Sequence, residues 1–435
     1  MKYLAILRDS LREAIDTWVF YVMAGLSCLL ILLVASVSFR PISVAEDLDE
    51  IAGTFNWALG FQKAQGVAVP HLSHGEVRQT NPGAEPWKGD YEFTFSVEFP
   101  DQSKKFQNMT PGMFRFILQR GLSQYLDNVQ VKSVTTDDPK VASFQVTSHG
   151  TKVNNLRGWK HEVSLFFGAL PLTPFHAPLG EQIYFIEYWV VGNVGAWIGI
   201  LVGIIVTAFF IPNMLRKGTV DMLVVKPMYR PTLLTFKYLG GLSFMLLNAA
   251  LVIVGIWLVL GLRSGVWATG FLWTILILTF FFAIYYAVST LAGVLTRSPI
   301  VAILLTCVAW GVVFGLNWGY SVVDGTRHPA KAPAELEAAL KDIPEDQRPA
   351  PPASPRFPNW VYTAADVVHY VVPRTGDLSA LTNRLIIKDV LYKDNPRLEK
   401  EDKTPFTWGE SLAVSGAYIA VLLGLSCLWF ATRDY

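Results

Sequence analysis

The sequence is short of charge and of cysteine. Only 16% of its 435 residues are charged, against roughly 25% in an average soluble domain. The 36 basic side chains almost balance the 35 acidic ones, which disfavours a nucleic-acid-binding protein, because that function needs a basic surface. The three cysteines, Cys28, Cys307 and Cys427, each lie in an apolar run. We therefore expect buried thiols, with no disulfide framework and no cysteine metal site.

Motifs for catalysis and nucleotide binding are also missing. The sequence has no GxxxxGK[ST], GxSxG or HExxH pattern, so we expect no catalytic residue, cofactor or metal ion in this chain. Lys217-Gly218-Thr219 shares letters with a phosphate-binding loop but lacks its upstream glycine. The sequence therefore predicts a protein that is not itself an enzyme.

Two polar groups remain as weaker candidates for chemistry. His71, His74 and the nearby Glu76 are metal-ligand types, but they lie in a Pro/Gly-rich stretch, which favours a solvated loop. A second set, with the side-chain types of a hydrolase, consists of Asp366, His369 and Asp377. No nucleophile stands at a suggestive spacing from this second set, so a hydrolase site there is disfavoured.

Apolar runs are abundant, because 52% of the residues are hydrophobic. A helix that crosses a bilayer needs about 20 mostly apolar residues. Six runs meet that need, at residues 19–37, 188–211, 233–261, 266–295, 300–320 and 412–431. We predict an α-helical polytopic membrane protein with six transmembrane helices, whose interiors carry no charged side chain.

Charge and strand patterns concentrate between these runs. Residues 40–183 predict an α+β extracytoplasmic domain inserted between the first two spans, with strands near 90–100, 129–135, 141–147 and 161–167 and a helix near 111–126. Residues 321–410 predict a Pro-rich linker followed by short helices on the membrane surface. Residues 1–18 predict a cytoplasmic amphipathic helix, or alternatively an extension of the first span.

Basic residues fix the predicted orientation. They cluster before the first span and in the loop at 212–232, which joins two of the spans in the 188–320 region. Because cytoplasmic loops are enriched in Lys and Arg, we expect both termini and this loop in the cytoplasm. The expected location is the inner membrane of a bacterium.

The loop at 212–232 has a pattern of its own. Thr219 suits a helix N-cap and Asp221 suits the first turn, while Pro227 ends the helix. An apolar face is formed by Val220, Leu223 and Val224, and the flanking basic residues are Arg216, Lys217, Lys226 and Arg230. A plain basic loop that touches acidic lipid headgroups would explain the charges. It would not explain a short capped helix.

This loop resembles the coupling region of ABC-2 type ABC transporter permeases. The resemblance lies in the basic-Gly-Thr-x-Asp-x-Leu pattern from Arg216 to Leu223, followed by Lys226-Pro227 and Arg230. It implies a permease subunit, homo- or heterodimeric with a second permease, that exports a substrate and binds a separate ATPase subunit carrying ATP and Mg. The resemblance gives the ATPase-coupling role to Arg216, Lys217, Gly218, Thr219, Val220, Asp221, Leu223, Val224, Lys226, Pro227 and Arg230.

Two other functions stay open at the level of sequence. One is a membrane-anchored sensor or scaffold with an extracytoplasmic binding domain, and the other is a membrane enzyme with a site at the outer surface. A neighbouring gene for an ATPase, or co-purification with one, would favour the permease over both.

Overall fold

The structure is a computed structural model that describes residues 18–64, 69–98, 111–123, 126–134, 141–151, 155–172, 176–214, 229–327, 357–392 and 406–432. The described part is mostly helical. Its helices are α1 (Trp18–Ala35), α2 (Val44–Ala64), α3 (Pro111–Leu122), α4 (Leu179–Met214), α5 (Arg230–Ser264), α6 (Thr269–Thr296), α7 (Pro299–Arg327), α8 (Asn359–Val371), α9 (Thr375–Ile387) and α10 (Trp408–Thr432). A π turn, Lys388–Tyr392, follows α9.

Five of the described helices are long and apolar enough to cross a membrane, namely α4, α5, α6, α7 and α10. Within α1, the apolar segment Phe20–Ala35 is shorter. The chain is therefore consistent with a polytopic membrane protein, and the count of six spans stays a prediction. The ten residues Val190–Gly199 in the middle of α4 form a π-helix, which α-helices accommodate as a local widening.

Between α1 and α4 the chain forms two antiparallel sheets. The first has the order β1 (Ser38–Pro41), β7 (Lys160–Leu165) and β8 (Leu170–Pro171), with β9 (Ala177–Pro178) also paired to β7. The second has the order β2 (His71–His74), β4 (Asp90–Glu98), β6 (Val141–His149) and β5 (Asp127–Val134), with β3 (Arg78–Gln79) on β4. The separation of residues 40–183 and 321–410 into extracytoplasmic blocks remains a prediction.

The core beneath the second sheet follows from alternation along β4. Tyr91, Phe93, Phe95 and Val97 are all buried while their neighbours are not, as expected where one face of a strand packs on a core. These side chains contact Leu48 of α2 and other buried residues of α2, α3, β5 and β6. Strand pairing and helix packing together give this segment a hydrophobic core of its own.

The helix boundaries differ from the predicted spans. The second span was predicted to begin at residue 188, but α4 begins at Leu179, where the Leu179 amide donates to the Trp159 carbonyl at 3.0 Å. The fifth was predicted to end at residue 320, but α7 continues to Arg327. Helices extend past the apolar run because their backbone hydrogen bonding does not depend on side-chain polarity. Of the amphipathic segment predicted at residues 1–18, residues 1–17 lie outside the described residues, and Trp18 is the first residue of α1.

Two predictions about side chains are wrong. His71 and His74 lie on strand β2 and not in a loop, and the His74 Nε2 atom lies 2.9 Å from the Asp49 carboxylate. The cysteines are not buried in this chain, since Cys28 is exposed and both Cys307 and Cys427 are partly exposed. Both errors have the same cause: the local sequence does not determine which residues of the folded chain contact a given side chain.

Candidate functional site: the coupling segment and an aromatic cavity

Most of the predicted coupling residues lie outside the described residues. These are Arg216, Lys217, Gly218, Thr219, Val220, Asp221, Leu223, Val224, Lys226 and Pro227. Arg230 is described and is the first residue of α5, with Pro231 in the first turn. Proline suits that position because it has no amide hydrogen to leave unbonded and its φ matches the helix. The predicted coupling segment is residues 214–230; the structure places its two ends, Met214 and residues 229–230, while residues 215–228 lie outside the described residues.

Both ends of this segment are anchored in one apolar cluster. Ile211 and Met214 at the end of α4 pack with Leu233 and Leu234 of α5, and all four are buried. Residues from two further helices, Val294 of α6 and Phe430 of α10, complete the cluster. Since interiors of this kind are close-packed and deform little, the helix ends on either side of the coupling segment are held together.

Along the second half of α7, from Trp310 to Gly325, the helices line an open cavity of about 800 Å³. This volume is within the range of ligand pockets, about 300–1,000 Å³. Its walls come from α4, α6, α7 and α9. The most aromatic wall is formed by Trp197, Trp310 and Phe314, with ring centroids 4.6 Å apart for Trp197–Trp310 and 5.1 Å apart for Trp197–Phe314. Edge-to-face contacts of this kind are favourable and fix the ring orientations.

A bridge from Asn317 holds the polar end of the cavity. Its amide nitrogen donates to the Val313 and Pro373 carbonyl oxygens at 2.9 and 3.0 Å, and its oxygen accepts the Gly376 amide hydrogen at 3.2 Å. Both sides of the amide are used, so α7 is tied to the start of α9. Asp324 and Asp377 also line this end. The cavity is thus apolar along its helices and acidic at its edge.

Behind this edge lies a buried charge cluster. The Asp377 carboxylate is 3.3 Å from His369 Nε2 and 3.9 Å from the Arg374 guanidinium. Arg374 in turn lies 3.3 Å from Glu410 of α10. Burial raises the pKa of Asp377 to about 6, against the opposing effect of Arg374. Burial and then the Arg374 charge lower the pKa of His369. Near neutral pH, the favoured state is an ionised Asp377 beside a neutral His369.

This cluster does not build a hydrolase site. The Ser411 hydroxyl donates to Asp377 at 3.4 Å and is fully buried, so it neither meets the histidine nor reaches the surface. Asp366, the third predicted member, pairs instead with Arg327 at 3.1 Å. Of the three residues considered from the sequence, the structure brings together His369 and Asp377 only. The contacts of His369 and Asp377 with each other and with Arg374 and Ser411 connect α8, α9 and α10.

One buried acid was missed by the sequence reasoning. Glu187 is 1% exposed, and within the described part of the chain its Oε2 atom has no hydrogen-bond partner. It precedes the predicted second span by one residue, and only the earlier start of α4 places it inside a helix. Within the described residues, no group of three or more His, Cys, Asp or Glu side chains is arranged to hold a metal ion.

Comparison with known proteins decides the family. No curated protein and no solved structure matches the chain. A family model described as "ABC-2 family transporter protein" matches residues 4–435. The chain belongs to the ABC-2 transporter family. The resemblance seen in the loop at 212–232 is thereby confirmed at the level of the whole chain.

As an ABC-2 family member, the chain is a permease, the multi-pass membrane subunit of an ABC transporter. Members of this family are transport subunits, generally non-catalytic, that work with an ABC ATPase. The α4 residues that line the cavity, from Gly192 to Ile200, lie near the middle of that helix, whereas the predicted coupling segment follows its last residue, Met214.

Proposed function

We propose that this permease exports its substrate and is driven by a separate ATPase subunit that docks on residues 214–230. The observation that carries the proposal is the family match over residues 4–435. The anchored helix ends around Met214 and Leu234 support it, because force on the segment would reach α4, α5, α6 and α10 together. ATP and Mg would bind the partner, and two permeases, alike or different, would form the membrane part.

The test uses the apolar face predicted for the coupling helix. The double variant Leu223→Asp/Val224→Asp should lose ATPase association in pull-down and lose substrate-stimulated ATP hydrolysis, because two charges would enter an apolar cleft. Met222→Asp is the matched control, since at 100° per residue Met222 lies on the opposite side of that helix. If the double variant associated and hydrolysed ATP as the control does, docking at this segment would be excluded.

We also place the transported molecule in the aromatic cavity and expect it to be amphipathic. Trp310 and Phe314 would receive its apolar part, and the acidic end at Asp324 would receive its polar part. Trp310→Ala should weaken binding of a dansyl-labelled amphiphile about tenfold or more, because burying a large ring is worth about 1.5–3 kcal/mol. Trp360→Ala, on the exposed face of α8 and 72% exposed, is the control. Equal affinities for the two variants would refute this placement.

A further inference from the structure

The hairpin between β7 and β8 ends in an exposed apolar tip, defined here as Phe166, Phe167, Leu170 and Leu172. These side chains are 62%, 71%, 50% and 44% exposed. They lie within seven consecutive residues, Phe166 to Leu172, that contain no polar side chain. An exposed run of this kind is unfavourable in water and marks an interaction surface.

The tip lies level with the end of α1. Strand β1 follows α1 almost directly and pairs with β7, with Ser38 opposite Ser164. Beyond that pair, the Phe167 amide donates to the Ser36 carbonyl at 2.8 Å. Ser36 is the residue after Ala35, where α1 ends. The hairpin tip therefore lies beside the C-terminal end of α1, at the boundary between this helix and the sheets.

An arginine stands beside the tip. The Arg263 guanidinium, at the end of α5, donates to the Ala35 carbonyl at 2.8 and 3.1 Å and lies 4.9 Å from the centre of the Phe167 ring. Arg263 is exposed, and no described carboxylate forms an ion pair with it. The end of α5 and the hairpin tip thus bring a cation and an aromatic ring together.

The exposed apolar surface continues below the tip. Leu32 and Leu33 in the last turns of α1 are 65% and 52% exposed, and Leu262 in the last turn of α5 is 77% exposed. On a helix that crosses a bilayer, such side chains meet acyl chains. The tip adds its four apolar side chains to that exposed apolar surface, next to the ends of α1 and α5.

The backbone of the tip is held in an unusual conformation. Phe166 and Phe167 have φ values of +52° and +59°, in the left-handed region that side chains other than glycine and asparagine rarely adopt. Gly168 follows with φ +99°. Two successive phenylalanines in this conformation persist only where the surrounding structure holds the backbone in place, as the Phe167–Ser36 hydrogen bond does here.

We propose that this tip inserts into the bilayer leaflet on the sheet side, with its four apolar side chains among the acyl chains and Arg263 at the depth of the phospholipid phosphates. A phospholipid has acyl chains below a negatively charged phosphate, so it can contact apolar side chains and a neighbouring cation together. Interfacial segments bind lipid through these two contacts, apolar burial and charge attraction. A second protein copy would need a much larger surface, about 1,000 Å² or more. The inference goes beyond the permease assignment and requires only that α1 and α5 end at this membrane face.

Photolabelling of the full chain tests the insertion. The unmodified protein is reconstituted in phosphatidylcholine vesicles that contain a phosphatidylcholine with a diazirine at the start of its acyl chain. After irradiation, mass spectrometry should find lipid adducts on the peptide that carries residues 166–172. Phe166→Asn/Phe167→Asn is the matched variant, because asparagine accepts the left-handed backbone. We expect it to keep its circular dichroism and to carry at least about tenfold less label on this peptide.

A depth measurement gives an independent result. A nitroxide at position 167, attached through Phe167→Cys after Cys28, Cys307 and Cys427 are replaced by Ser, should be accessible to oxygen and protected from a water-soluble nickel complex. The same label at Ser133, exposed on β5, is the aqueous reference. Equal nickel accessibility at 167 and 133 would overturn the proposal. So would dipolar broadening between two labels at 167 without oxygen access, which would mean that a second copy covers the tip.

Discussion

At the scale of the residue, the carboxyl group of Asp377 has a measurable consequence. Burial raises its pKa from 3.8 to about 6, so the folded protein binds this proton more tightly than the unfolded chain. The resulting stabilisation is complete below about pH 4 and is lost as the pH rises through 6. One pKa unit corresponds to about 1.4 kcal/mol, so the loss is roughly 2–3 kcal/mol.

Asp377→Asn removes this titration and should flatten the fall in unfolding temperature between pH 4 and pH 7. His369, whose pKa is lowered, contributes in the opposite direction, but it is present in both proteins. Asp366→Asn is the control, because Asp366 sits in an exposed pair with Arg327. Thermal scans in detergent at three pH values measure the effect. An unchanged profile in Asp377→Asn would contradict the burial argument.

At the scale of the element, close helix packing is concentrated at single glycines. A Cβ at Gly241 of α5 would lie 2.5–2.7 Å from atoms of the Tyr286 ring of α6. Tyr286 is fully buried and stacks between Tyr238 and Phe282, so it has little room to move. Gly241→Ala should therefore separate α5 from α6.

The expected cost of Gly241→Ala is about 1–3 kcal/mol, as for other overpacked sites, seen as a lower unfolding temperature. Gly311→Ala in α7 is the matched control, since no atom lies within 4 Å of its added Cβ. Alanine there should be neutral, or stabilising by up to about 1 kcal/mol, because glycine is the poorer helix former. Equal effects at both positions would mean that the α5–α6 contact is not tightly packed.

Elements with a strong period were predictable. Strand β4 was expected at 90–100 from alternating aromatics and is observed at Asp90–Glu98. Helix α8 (Asn359–Val371) lies in the 321–410 region, where short helices were expected after the linker. Helix α2 was not predicted, because Val44–Ala64 has only a weak apolar period. Tertiary contacts stabilise α2. Asp47 forms a buried ion pair with Lys160 of β7, and Leu48 packs in the core beneath the second sheet.

The two parts of the candidate site also differ in whether their residues are close together in the sequence. The coupling segment has a contiguous sequence signal, from Arg216 to Arg230, and its role stays a prediction. The aromatic cavity could not be predicted, because Trp197, Trp310 and Thr375 are brought together only by the packing of α4, α7 and α9. Nothing in the local sequence around any one of them indicates a shared wall.

At the scale of the whole molecule, the orientation in the membrane can be tested. In cells whose outer barrier is permeable to the reagent, a membrane-impermeant maleimide should label a cysteine placed at Ser133. It should label a cysteine at Lys217 only after the inner membrane is opened, because basic loops face the cytoplasm. Both variants are made in the chain without Cys28, Cys307 and Cys427. The reverse pattern would invert the proposed topology and exclude ATPase docking at the loop.

The length of α4 has a mechanical consequence. This helix begins against the first sheet, where the Gln182 amide donates to the His161 carbonyl at 2.5 Å, and it ends at Met214, next to the coupling segment. At about 1.5 Å per residue, its 36 residues form a rod roughly 50 Å long. Along this length the backbone hydrogen bonding changes twice, at the π-helix Val190–Gly199 and at a turn formed by residues 208 and 209, and interruptions of this kind are where helices bend. The first sheet and the predicted coupling segment therefore lie at opposite ends of one long helix that can bend between them.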